Sequence, residues 1–245
     1  MSEALNIAYE AIDETNGGES ASTRRRFVGG AAAALGGMGL LGLSQAENAM
    51  AKNDAKTILN IAATAEVLAT IVNTVGNERV TLDDVTKRNI EAAAREELIH
   101  YQVLTKSLGA KPATKMIWVP DSVFASPEGL LNTLVAGDQI FINAYLIGTT
   151  AFAKAKEKKF ARFTGEFMGA EAVHRALALQ SLGQLGNDRA FMAFEFTKIE
   201  TAVTLLQQAG FGFGKEGATP GAFYNFDEVS ARTPDPAGVN TRTPR

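Results

Sequence analysis

Apolar residues recur at helical spacing from about Asp54 to Gly210, with polar positions between them in the rhythm of amphipathic helices. The first stretch, "DAKTILNIAATAEVLATIVNTVG", ends at Gly76, a residue type that closes helices. A second begins after Thr81, whose hydroxyl is placed to cap together with Asp84, and runs through "DDVTKRNIEAAAREELIHYQVLTKS" to Gly109. The period then breaks in "AKPATKMIWVPDSVFASPEG", which holds three prolines and the only tryptophan. That composition predicts a long connection, with Trp118 as a packing anchor. Ser126-Pro127-Glu128 reads as an N-cap with proline at the first helical position. It opens a third helix, "LLNTLVAGDQIFINAYLIGTTAFAKA". The basic stretch Lys154 to Lys159 leads into a fourth, "ARFTGEFMGAEAVHRALALQSLG", and Asp188 is placed to cap a fifth, "RAFMAFEFTKIETAVTLLQQAG".

Helices joined by short loops lie antiparallel, and a long link between two such hairpins predicts an all-α four-helix bundle with one long crossover connection. The fifth helix would be added to it. From Phe211 to Arg245 the period is lost, and the reading is an irregular C-terminal tail whose last dozen residues are disordered. Phe211, Phe213, Phe223, Tyr224 and Phe226 are placed to dock part of that tail. The expected organisation is a leader over 1–51, a helical body over 52–210 and the tail over 211–245.

The leader, "STRRRFVGGAAAALGGMGLLGLSQAENAMAK", resembles a twin-arginine export signal. Arg24 and Arg25 form the pair, Phe27 the aromatic one residue later, and Val28 to Leu43 an apolar run too short and too rich in Gly and Ala for a membrane span. Ala49-Met50-Ala51 has the small-x-small pattern of a cleavage site, so the mature chain is expected to begin at Lys52, with an uncleaved anchor as the alternative. The resemblance implies export to the periplasm or beyond, with the twin-arginine translocase as partner. That route carries proteins already folded, often with a cofactor inserted in the cytoplasm.

Composition narrows the chemistry. The chain has 24 basic and 27 acidic residues, and the leader accounts for three arginines and six acids, so the remainder carries 21 of each sign. This balance gives no electrostatic reason to expect nucleic acid as partner. Cysteine is absent, which excludes disulfides, thiolate chemistry and Cys-ligated zinc. No phosphate loop, nucleophile elbow or nucleotide fingerprint is present. Any bound metal would have oxygen and nitrogen ligands.

The two histidines of the chain both follow a glutamate by three residues, in "ELIHYQVLTKSLG" from Glu97 and "EAVHRALALQSLG" from Glu171. Ser-Leu-Gly follows each at the same offset, as if the second and fourth helices were corresponding arms of two repeated hairpins. Residues three apart share a helix face, so Glu97 with His100, and Glu171 with His174, present a carboxylate beside an imidazole. Di-metal bundles need one further carboxylate from each of the other two helices. Glu66 is the lone acid inside the first apolar stretch and Asp138 the lone interior acid of the third. They lie 31 and 33 residues before Glu97 and Glu171, which would bring all six groups to one level. The competing reading is a buried polar network that holds the helices in register. Glu96 points about a quarter-turn from Glu97 and reads as solvated, while Glu195 and Glu200 read as surface. Tyr145 and Asn73 each lie seven residues beyond an inferred ligand, placed for a hydrogen bond to it or, for Tyr145 equally, for plain packing.

At these residues the chain resembles the ferritin-like superfamily, and more narrowly the bacterial ferritin-like or desiccation-related proteins. The resemblance spans Asp54 to Gly210 and rests on "ILN" with Glu66, "EELIHYQVL", "FASPEGLL", Asp138 with Tyr145, and "AEAVHRA". It implies the ligand set Glu66, Glu97, His100, Asp138, Glu171 and His174 around two iron or manganese ions. Asp138 departs from the family's usual glutamate and is one methylene shorter, which would weaken one position. The expected function is redox chemistry with oxygen or peroxide in stress protection, as a peroxidase, ferroxidase or manganese catalase-like enzyme. The alternative is a non-catalytic protein that binds or stores metal, or a structural desiccation-stress protein. Apolar bundles of this type often pair, so a homodimer is among the expected partners.

Overall fold

Asp54 starts the first helix by accepting the Thr57 N–H at 3.0 Å. That helix, α1, spans Ala55–Arg79 and passes through Gly76 without ending there. Gly76 marks a close approach instead: a Cβ at this position would lie 2.6 Å from a methyl of the fully buried Leu130. Helix α2, Asp84–Gln102, is capped by Asp83, which accepts from Val85 and Thr86, and not by Thr81. A π-helical turn, Val103–Ser107, continues it to Gly109, whose φ of +73° ends the run. Such a widened turn is frequent beside functional sites, and this one begins three residues after His100. Ser126 caps α3, Pro127–Lys154, through the Gly129 N–H at 3.0 Å, with Pro127 at the first helical position. Helix α4, Lys158–Ser181, follows after a three-residue turn.

The computed structural model describes residues 53–242. The leader with Arg24, Arg25, Phe27 and the cleavage after Ala51 lies outside the described residues. The chain is mostly helical: α1 packs on α2 and α3, and α4 packs on α3 and α2. Helices α1 and α3 are apolar and long enough to cross a membrane by composition alone, but most of each apolar window is buried inside the protein. Their hydropathy is therefore that of core helices.

The long crossover contains strand β1, Met116–Pro120, and a 3₁₀ turn, Asp121–Phe124. The tail is not irregular, as the sequence had suggested. It supplies β2, Gly212–Phe213, and β3, Gly221–Asn225, which flank β1 in an antiparallel sheet, and a short helix α6, Phe226–Ser230, that packs on α1. Trp118 does anchor this region, its indole N–H donating to Ala218 O at 2.9 Å. Lastly, the fifth helix, α5, is only Glu200–Gln208. Asp188 does not cap it; both its oxygens accept from the buried Arg175 guanidinium, at 2.8 and 2.7 Å. Residues 193–199 give their backbone groups to side chains instead of to a helix. Gln139 donates to Ala193 O, Asn143 donates to Phe196 O and accepts from Glu195 and Phe196, and Asn53 brackets Thr197 and Ile199. Side-chain competition for the backbone defeats the helical period there.

Candidate metal centre

Each long helix contributes to one buried cluster. Glu66 comes from α1, Glu97 and His100 from α2, Asp138 and Tyr145 from α3, and Glu171 and His174 from α4. Glu66, Glu97 and Glu171 have no exposed surface, and Asp138, His100 and His174 are 4, 7 and 9% exposed. The ligand atoms of Glu66, Glu97, His100 and Glu171 all lie within 4.8 Å of one another.

The two imidazoles meet the same two glutamates through different oxygens. His100 Nδ1 is 3.6 Å from Glu66 Oε1, Glu97 Oε2 and Glu171 Oε1. His174 Nδ1 is 3.2 Å from Glu97 Oε1 and 3.5 Å from Glu171 Oε2. Donors held about 2.0–2.2 Å from one divalent ion stand about 2.9–3.5 Å apart. The His174 set matches that spacing and the His100 set is slightly wider.

These separations are ion-pair contacts without hydrogen-bond geometry. Eight buried atoms of the cluster have no hydrogen-bond partner: Glu66 Oε2, both oxygens of Glu97 and of Glu171, Asp138 Oδ2, and Nδ1 of His100 and His174. Buried polar groups are otherwise nearly always paired, and leaving a charge unpaired in the interior costs several kcal/mol. The donor set fits metal. The buried carboxylates would offset the charge of divalent metal, and oxygen with imidazole nitrogen is a donor set that divalent transition metals accept.

Without metal, the groups perturb one another strongly. Burial drives the Glu66 carboxyl well above its usual range, the Glu97 charge adds to this, and His100 opposes it. Burial likewise raises Asp138, with the Glu171 charge adding and His174 opposing. Burial also pushes Glu97 up, but the imidazoles of His100 and His174 outweigh it and hold the carboxyl below its normal value. Both imidazoles are raised well above the usual histidine range: burial works against this, and the facing carboxylates overcome it.

Tyr145 donates its hydroxyl to Glu66 Oε1, one of the two roles open to it from sequence. Asn73 does not reach a ligand; its amide donates to Ala69 O at 3.1 Å within its own helix. Asp138 is buried and electrostatically tied to Glu171, His174 and Glu97, but lies outside the group of four. Glu195 is exposed and Glu200 opens α5.

Two residues escape sequence reasoning. Glu96 is not simply solvated: its Oε2 lies 2.7 Å from His174 Nε2. Phe167, one turn before Glu171, places its ring 4.3 Å from that of His100 and 5.5 Å from that of Tyr145. Its spacing of four from Glu171 marks a shared face, but only packing shows what it covers. No protein family, curated protein or solved structure matches this chain.

Proposed function

We propose that this protein is a di-metal carboxylate protein in a ferritin-like four-helix bundle, acting on oxygen or peroxide with iron or manganese. One observation carries the reading: Glu97 and Glu171 each turn one oxygen toward His100 and the other toward His174. Paired carboxylates divided in this way are suited to bridging two ions, with Glu66 completing the His100 position and Asp138 the His174 position. A bound ion pair would supply electron exchange with dioxygen or hydrogen peroxide.

The chain's own part is to hold and shield. His100 and His174 would each hold one ion, and Glu97 and Glu171 could serve either position or both. Tyr145 holds Glu66 in orientation, while Phe167 and the apolar helix faces exclude water. We further propose export by the twin-arginine route and a role in oxidative or desiccation stress, supported by the leader's sequence and the motif resemblance. A non-catalytic metal store would share these ligands and differ in lacking turnover.

The test is metal content per chain, measured by plasma mass spectrometry on protein exported and recovered from its own host. Close to two irons or manganese per chain is the expected result. A stable helical protein with well under one would sink the proposal. Replacing His100 and His174 with alanine then separates the two kinds of function. Loss of metal together with peroxide or ferroxidase activity supports the enzyme, and protection that survives metal loss supports the structural protein.

A further inference from the structure

Glu96 and Glu97 are neighbours that do different work. Glu97 projects between the imidazoles, whereas Glu96 crosses to α4 and meets the far nitrogen of His174 at 2.7 Å. The Glu96 side chain is 35% exposed and that of His174 only 7%. A neutral imidazole carries one ring proton. With that proton on Nε2 and given to Glu96, Nδ1 is left as a lone pair aimed at Glu97 Oε1 and Glu171 Oε2. His100 has no comparable support, since its Nε2 has no hydrogen-bond partner among the described residues. Its ring rests on Phe167, at 4.3 Å, an apolar contact that does not choose between the two nitrogens.

We infer that Glu96 is a positioning residue that makes the two ion positions unequal, so that the His174 position keeps a divalent ion when the His100 position has lost its own. This rests on the two-ion reading of the site. A carboxylate that accepts from a ligating histidine fixes its tautomer and ring orientation, and losing it weakens metal binding about 10–100-fold. Here one histidine has that support and the other does not.

The experiment is a Mn²⁺ titration of the metal-free full chain by calorimetry, with manganese per chain counted after dialysis. Two binding steps are expected in the unaltered protein. Glu96→Ala should weaken one step about 10–100-fold and leave the other unchanged. Glu96→Gln should restore most of the loss, because its amide oxygen still accepts from Nε2–H. The Glu96→Ala effect should vanish in a His174→Ala background and persist in a His100→Ala background, a pairing that general destabilisation would not reproduce. Thermal unfolding of each metal-free variant checks folding; if Glu96→Ala does not fold, Glu96→Gln and Glu96→Asp carry the same comparison. Equal weakening of both steps, no weakening, or an effect that survives removal of His174 overturns the inference. Less than one manganese on the unaltered protein defeats the two-ion reading first, before any Glu96 variant is compared, and takes this inference with it.

Discussion

The hydroxyl of Tyr145, on α3, donates to Glu66, on α1, and joins two helices across the buried cluster. Burial first, and then the Glu66 charge, hold the phenol well above its ordinary ionisation range, so Tyr145 stays a neutral donor.

Tyr145→Phe removes that donor while keeping the ring against Phe167. A buried hydrogen bond contributes about 0.5–1.5 kcal/mol net. Denaturant unfolding of the metal-free variant should show a loss of that order. Metal affinity should fall at the position Glu66 serves. An unchanged midpoint and unchanged affinity would mean that the contact is incidental.

Glu97 and Glu66 should differ in kind. Glu97 faces both imidazoles, whereas Glu66 faces only His100. Glu97→Ala is expected to abolish binding of both ions, and Glu66→Ala to leave one. Metal counted per chain after dialysis distinguishes these outcomes, and the opposite ranking would contradict the bridging geometry.

Metal uptake should release protons. In the metal-free protein the facing carboxylates raise His100 and His174 well above the usual histidine value of 6.5, so both hold protons through neutral pH. Ligation needs the neutral ring. Each ion should therefore expel about one proton or more near pH 7, and affinity should rise as pH increases through and above neutrality. Calorimetry in buffers of different ionisation heat measures this directly. Uptake without proton release would show that the imidazoles are not ligands.

Asp188 supports the loop over α3 through the buried Arg175. Burial works to raise its carboxyl, but the Arg175 hydrogen bond and charge outweigh this and place it below its ordinary value of 3.8. A depressed carboxylate adds stability that is fully present above the unfolded value and is lost as pH falls through the folded one. Asp188→Asn should lower stability by about 1–3 kcal/mol at pH 7, and melting curves of variant and parent should converge only as pH falls below 3.8 through the lowered value. A gap that persists in acid would assign the loss to packing.

The four long helices and the six carboxylates and imidazoles that meet in the buried cluster were legible because their signals are local. Helical period, the Ser126-Pro127 start and the Glu-x-x-His spacing all act within a few residues. Spacing along a helix did not show that Asp138 and His174 stand outside the tightest group of four. Gly76 misled because glycine both ends helices and admits close neighbours, and only the position of Leu130 separates these roles. The tail strands were missed because β1, β2 and β3 are short and pair over about a hundred residues, with no strong alternation of their own.

By itself, the sequence determined the helical class and the pairing of each histidine with a glutamate on its own helix face, since both follow from 3.6 residues per turn. Only the tertiary structure decided how the carboxylate oxygens divide between His100 and His174, that Tyr145 reaches Glu66, and that Glu96 reaches His174. It also decided that residues 193–199 bond to asparagine and glutamine side chains in place of a helix. Each is a contact between separate elements, and its energy depends on a distance of a few ångströms that local spacing along one helix does not set.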